Sequence, residues 1–177
     1  MIATTDLAAT ITVIVAAFTA LTGVVTWFVN GVRDERTRLQ KLYADAYSTV
    51  MSFKEYPYLV RHRLAPSSAH PELAGAERLR ISDSLHEVQI ALNTHRAQIR
   101  TESDDVSAKY EVLVDKTRKL VREYMERAWK QGPLESDAYM SERYDYDPLE
   151  QHQLEYLGAV KRDMTFWRVA NLRRRRN

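Results

Sequence analysis

The densest metal-ligating spacing in the chain is Asp83-x-x-His86, followed by Glu87. On a helix, residues three apart share a face, so Asp83 and His86 offer two ligands toward one ion. Helical di-metal sites draw a Glu-x-x-His from each of two helices. This chain has no Glu-x-x-His and no His-Glu-x-x-His, so the pair lacks partners. Asp145-x-Asp147 resembles the start of a calcium loop. It lacks the glycine at the sixth position and the closing glutamate, and Pro148 intrudes. His95 lies on an apolar helical seam, where it reads as a core residue more readily than as a pH switch. With no cysteine there is no disulfide, thiolate metal site or thiol nucleophile. Five scattered glycines leave no room for a phosphate loop or dinucleotide fingerprint. No catalytic constellation, metal or cofactor is therefore expected.

Two clusters are suited to recognition instead. Tyr56, Tyr58, Arg61 and Arg63 surround Pro57, and Tyr and Arg are the residue types that dominate binding hot spots. They are the candidate partner or anion surface. A later stretch, Leu134–Pro148, holds Glu135, Asp137, Glu142, Asp145 and Asp147 with Tyr139, Tyr144 and Tyr146. The two clusters either pair with each other as a surface ion network or present a surface to an unknown protein partner.

The elements that must position these residues are helical. Leu7–Val29 reads LAATITVIVAAFTALTGVVTWFV, with 17 apolar residues out of 23 and no charge. As a helix it covers roughly 35 Å, enough to cross a bilayer core. Residues 1–31 are therefore expected to form an N-terminal transmembrane anchor, a single-pass signal anchor rather than a cleaved signal peptide, whose apolar stretch would be shorter. No Lys or Arg precedes the span, whereas Arg33, Arg36, Arg38 and Lys41 follow it. That asymmetry predicts the inner membrane, N-terminus outside, with residues 32–177 in the cytoplasm. Ala16–Ala20 and Thr19–Gly23 are small-xxx-small pairs, which let helices approach closely. They admit a homodimer through the span; a lone anchor is the alternative.

Residues 32–177 read as a helical bundle with a basic C-terminal tail. The first helix is expected to continue from the span to Lys54, with Leu39, Leu42, Ala46, Val50 and Phe53 at 3-4 spacing. A second runs over 72–100, striped by Ile81, Leu85, Val88, Leu92, His95 and Ile99. A third starts at Ser103 as N-cap, with Asp104 and Asp105 in its first turn, and is stopped by Gly132-Pro133. A fourth opens with Asp147 as N-cap and Pro148 at the first position, and ends in Arg173, Arg174, Arg175 and Arg176. No strand pattern is present. The fold class is all-α: a transmembrane helix continuing into an antiparallel four-helix cytoplasmic bundle. In that topology the Arg173–Arg176 tail joins Arg33, Arg36, Arg38 and Lys41 as a basic cluster at the anionic membrane surface. A net charge of +2 and the absence of an interleaved aromatic pattern make nucleic acid an unfavoured partner.

Glu55–Arg63 (EYPYLVRHR), Ile81–Gln89 (ISDSLHEVQ) and Ala108-Lys109-Tyr110 resemble segments of uncharacterised actinobacterial proteins with one N-terminal span and a helical cytoplasmic part. The likeness covers about residues 40–130 and implies the same architecture without an activity. The expected function is a membrane-anchored, non-enzymatic interaction or regulatory module whose partners include the lipid bilayer. The rivals are a membrane-active effector of toxin or antiphage type and a soluble helical oligomer.

Overall fold

The computed structural model describes the backbone of residues 3–64, 71–131, 133, 144–165 and 168–171, and side chains over the same ranges except 3–15 and 17. Five α-helices carry the described chain: α1 (Ala3–Lys54), α2 (Tyr56–Arg61), α3 (Pro71–Glu102), α4 (Asp104–Lys130) and α5 (Glu150–Asp163). A 3-10 turn, Asp147–Leu149, leads into α5. No strand occurs among the described residues.

The helix ends follow local chemistry. Ser103 is extended at φ −156°, and its side chain accepts from the Val106 amide, so α4 starts at its expected cap. At the end of α1 the chain re-enters a helix at once. Pro57 opens the six-residue α2, where its missing N–H costs nothing. Asp147 is not a cap. The residue before the 3-10 turn is Tyr146, and Asp145 Oδ1 accepts from the Asp147 amide at 2.9 Å, a local Asx turn. The last helix is also interrupted before its expected end at the C-terminal arginines. α5 ends at Asp163, Met164 and Thr165 are not helical, and residues 168–171 are helical again. Asp163 and Thr165 flank the break, and both side-chain types compete with helical backbone bonding.

The chain divides into two compact units: Met1–Leu39 with Met164–Asn177, and Gln40–Asp163. The second unit is an antiparallel helical bundle. Arg96 meets Asp115 and Arg118 meets Asn93, which runs α3 against α4. Arg162 meets Asp105 and Lys109 meets Glu155, which runs α5 against α4. Tyr43 meets Asp163 and Tyr47 meets Gln153, which runs α5 against the end of α1. The stripes point inward: Tyr43, Ala46, Val50 and Phe53 on α1, Ile81, Leu92 and Ile99 on α3, and Val106, Tyr110, Leu113, Thr117, Tyr124 and Ala128 on α4 are buried.

In the first unit, Val32, Leu39, Val169 and Ala170 are buried. The opposite holds for residues 18–27, every one of which is exposed. Among the described residues no helix is long and apolar enough to cross a membrane. The anchor expected over 7–29 is thus unsupported by the described residues; the side chains of 7–15 and 17, its most apolar portion, lie outside them.

Candidate functional site

The recognition clusters converge within the second unit. Tyr58, on α2, accepts the Tyr144 amide at 3.2 Å through its hydroxyl, and the two rings meet edge-on at 4.7 Å. Tyr124, on α4, packs against Tyr144 at 5.0 Å and Tyr146 at 5.4 Å. Its hydroxyl donates to the Asp145 carbonyl. Tyr146 donates to the Lys54 carbonyl at 2.6 Å, capping the end of α1, and Lys54 Nζ sits 4.5 Å over the Tyr146 ring. The connection after α1 and the one before α5 therefore lie at one end of this bundle, stitched by aromatic contacts. Burial pushes the Tyr146 and Tyr124 phenols up and the Lys54 ammonium down.

The proposed partner-facing residues are largely committed inside this arrangement. Arg63 is 6 % exposed. Its Nη1 donates to the Val60 carbonyl at 2.5 Å and the Ala128 carbonyl at 3.2 Å, and Nη2 donates to the Trp129 carbonyl at 3.3 Å. The guanidinium also lies 4.3 Å over the Trp129 ring. It caps the C-terminal carbonyls of α4, where the helix dipole favours a cation. Burial, then the nearby Arg78 and Arg61 charges, lowers its pKa. Tyr56 is buried, and its hydroxyl pairs with Ser84 Oγ at 2.8 Å. Burial removes Tyr56 and Arg63 from any anion or partner surface. Tyr58 and Arg61 stay half-buried, with Tyr58 held by Tyr144. The acidic residues Glu135, Asp137 and Glu142, with Tyr139, lie outside the described residues.

A second polar cluster was invisible in the sequence. Asp163 is 1 % exposed, and Tyr43 donates to its Oδ2 at 2.7 Å. Tyr156 donates to the Tyr43 carbonyl at 2.9 Å, stacks on Tyr47 at 6.1 Å and packs on Tyr110 at 5.6 Å. Burial raises the Tyr43, Tyr110 and Tyr156 pKa values, and the Asp163 hydrogen bond raises that of Tyr43 further. This cluster joins α1, α4 and α5, with Tyr43, Tyr110, Tyr156 and Asp163 buried in it.

The remaining candidates lie on the first unit and on α3. Ala16, Thr19, Ala20 and Gly23 are exposed, and a Cβ built on Gly23 meets nothing within 4 Å. Arg33, Arg36 and Arg38 are exposed, with Arg38 paired to Glu35 at 2.8 Å. Lys41, across the unit boundary, is exposed as well, whereas Arg173–Arg176 lie outside the described residues. Asp83, His86 and Glu87 are exposed on α3. Among the described residues no cluster of three or more His, Asp or Glu could hold a metal ion. No protein family, curated protein or solved structure matches the chain.

Proposed function

We propose that the chain is a single-span membrane protein whose helical bundle serves as a non-catalytic interaction or regulatory module at the inner membrane. The observation that carries this reading is the exposure of α1. Phe18, Leu21, Val24, Val25 and Trp27 are each 52 to 67 % exposed. A helix that is apolar without a protein cover finds its counterpart in lipid or in other copies of itself. Extended over the whole sequence run 7–29, the length suffices for a bilayer core of about 30 Å. The exposed Arg33, Arg36 and Arg38 follow the run and favour the cytoplasmic side for the bundle. Together with Lys41 and Arg173–Arg176, they are the residues we assign to anionic headgroups, at about 1 kcal/mol each.

One face of α1, bordered by Phe18 and Trp27, carries Thr19, Gly23, Thr26 and Asn30 at helical spacing. Within lipid, small and hydroxyl-bearing residues favour close pairing with a second copy, which supports a dimer through the span. The test is a carbonate-washed membrane fractionation of the full chain beside one beginning at Arg33. Full-length protein retained in the washed membrane, with a soluble and helical shorter chain, supports the reading. Full-length protein in the wash overturns it and favours a soluble assembly built on residues 7–29.

A further inference from the structure

A groove of about 420 Å³ runs along the bundle between α3 and α4, floored by Phe53 of α1. Its size falls in the range of about 300–1,000 Å³ typical of small-molecule sites. Phe53 and Val121 are buried in its floor, Leu85 and Met125 are half-buried in its sides, and Trp129, 41 % exposed, closes one end. Arg63 occupies one face of the Trp129 ring, which leaves the rest of the indole to line the groove.

Two cations line this groove, Arg118 and Arg122, and among the described residues neither is neutralised by a carboxylate as three others on the bundle are. Arg96, Lys109 and Arg162 each meet a carboxylate, at 2.7, 3.0 and 3.0 Å. Arg118 and Arg122 make no ion pair among the described residues. Arg118 donates instead to the neutral Asn93 Oδ1 at 2.7 Å. Arg118 and Arg122 line the groove one helical turn apart on α4, a spacing from which two guanidinium groups can reach one planar anion. Glu126 lies between them and Trp129 in the sequence and also lines the groove. It repels an anion from that end and so sets a direction: head at Arg118 and Arg122, apolar body toward Trp129.

We propose that this groove binds a small hydrophobic carboxylate, with its head held by Arg118 and Arg122 and its apolar body laid over Leu85, Met125 and Trp129. The site does not depend on whether residues 7–29 enter a membrane, since α1 contributes only Phe53 to its lining. It is tested by equilibrium dialysis of 2-naphthoate against full-length protein in lipid nanodiscs, with empty nanodiscs as the blank. If fractionation leaves the protein in the wash, the same dialysis runs in buffer, so the two readings fail separately. The expected result is saturable one-to-one binding. Arg122→Gln weakens it roughly tenfold, as for one lost charge-assisted contact. Glu126→Gln tightens it several-fold, and the neutral 2-naphthylmethanol binds roughly tenfold more weakly than the acid. Arg122 is exposed and makes no ion pair among the described residues, so an unchanged melting curve for R122Q separates loss of the site from loss of the fold. Uptake no greater than the blank overturns the proposal. So does equal affinity of wild type and R122Q, or of the acid and the alcohol.

Discussion

Helix α1 holds two opposite solutions to burying apolar side chains. Between Tyr43 and Phe53 the apolar residues repeat at 3-4 spacing, and Tyr43, Ala46, Val50 and Phe53 are at most 5 % exposed. Between Phe18 and Trp27 no residue is charged, yet every residue is exposed. Periodicity, rather than total hydrophobicity, is what recruits a protein neighbour. A stripe needs one facing element, whereas a helix apolar over most of its circumference needs a surrounding medium. The two stretches therefore call for different perturbations.

The largest expected effect falls on the uncovered stretch. Phe18→Arg with Leu21→Arg should abolish membrane retention, because each arginine near a span centre costs about 2.5–3.5 kcal/mol of insertion free energy. The melting of the bundle should not change, since both side chains are exposed. Retention of the double variant in a carbonate-washed membrane would break the comparison.

Alkaline pH should act on the bundle packed around the covered stretch. Burial holds the Tyr43, Tyr110, Tyr146 and Tyr156 phenols neutral in the folded state, with pKa values raised above the ordinary one. Their contribution to stability is complete below the unfolded value of about 10 and is lost as pH rises past it. Each removes about 1.4 kcal/mol per pH unit, so four together bring unfolding between about pH 10 and 12. Phenolate absorbance rising together with loss of circular dichroism is the expected signature. Ionisation of all ten tyrosines before any helix is lost would contradict it.

Smaller effects sharpen the picture inside the bundle. Tyr156→Ala should cost about 3–5 kcal/mol in denaturant unfolding, and Tyr156→Phe about 1 kcal/mol, the difference being ring packing against the hydroxyl's bond to the Tyr43 carbonyl. Arg63→Met should cost about 2 kcal/mol by leaving the Ala128 and Trp129 carbonyls without a donor. A loss of partner capture with unchanged stability in Arg63→Met would restore a surface role to that residue.

Much of this fold is legible in the sequence where the signal is local. The end of α1 at Lys54, the Ser103 cap and the inward stripe of α4 follow from Pro57, a hydroxyl before two aspartates, and apolar spacing. The tyrosine and arginine clusters are visible as residues but not as roles. Tyr56 and Arg63 read as surface groups because their partners, Ser84 and the Ala128 and Trp129 carbonyls, lie 28 to 66 residues away. Tyr43 and Asp163 are separated by 120 residues, and no periodicity announces that pairing. The break after Asp163 was hidden for the same reason, since Val160, Met164 and Ala170 keep a helical rhythm across it. Arg118 and Arg122 look like ordinary surface charges until the groove they line is known.

The capping of α4 by Arg63 bears on how the bundle assembles. The last turn of a helix is ordinarily finished by its own flanking residues, so it forms early and locally. Here the finishing donor arrives from the end of α2, 65 residues upstream. Until that long loop closes, the end of α4 frays, and the chain gains little from ordering either segment alone. The two must therefore consolidate in one step. Native-state hydrogen exchange should report the last turn of α4 and the short α2 opening together, as a single cooperative unit.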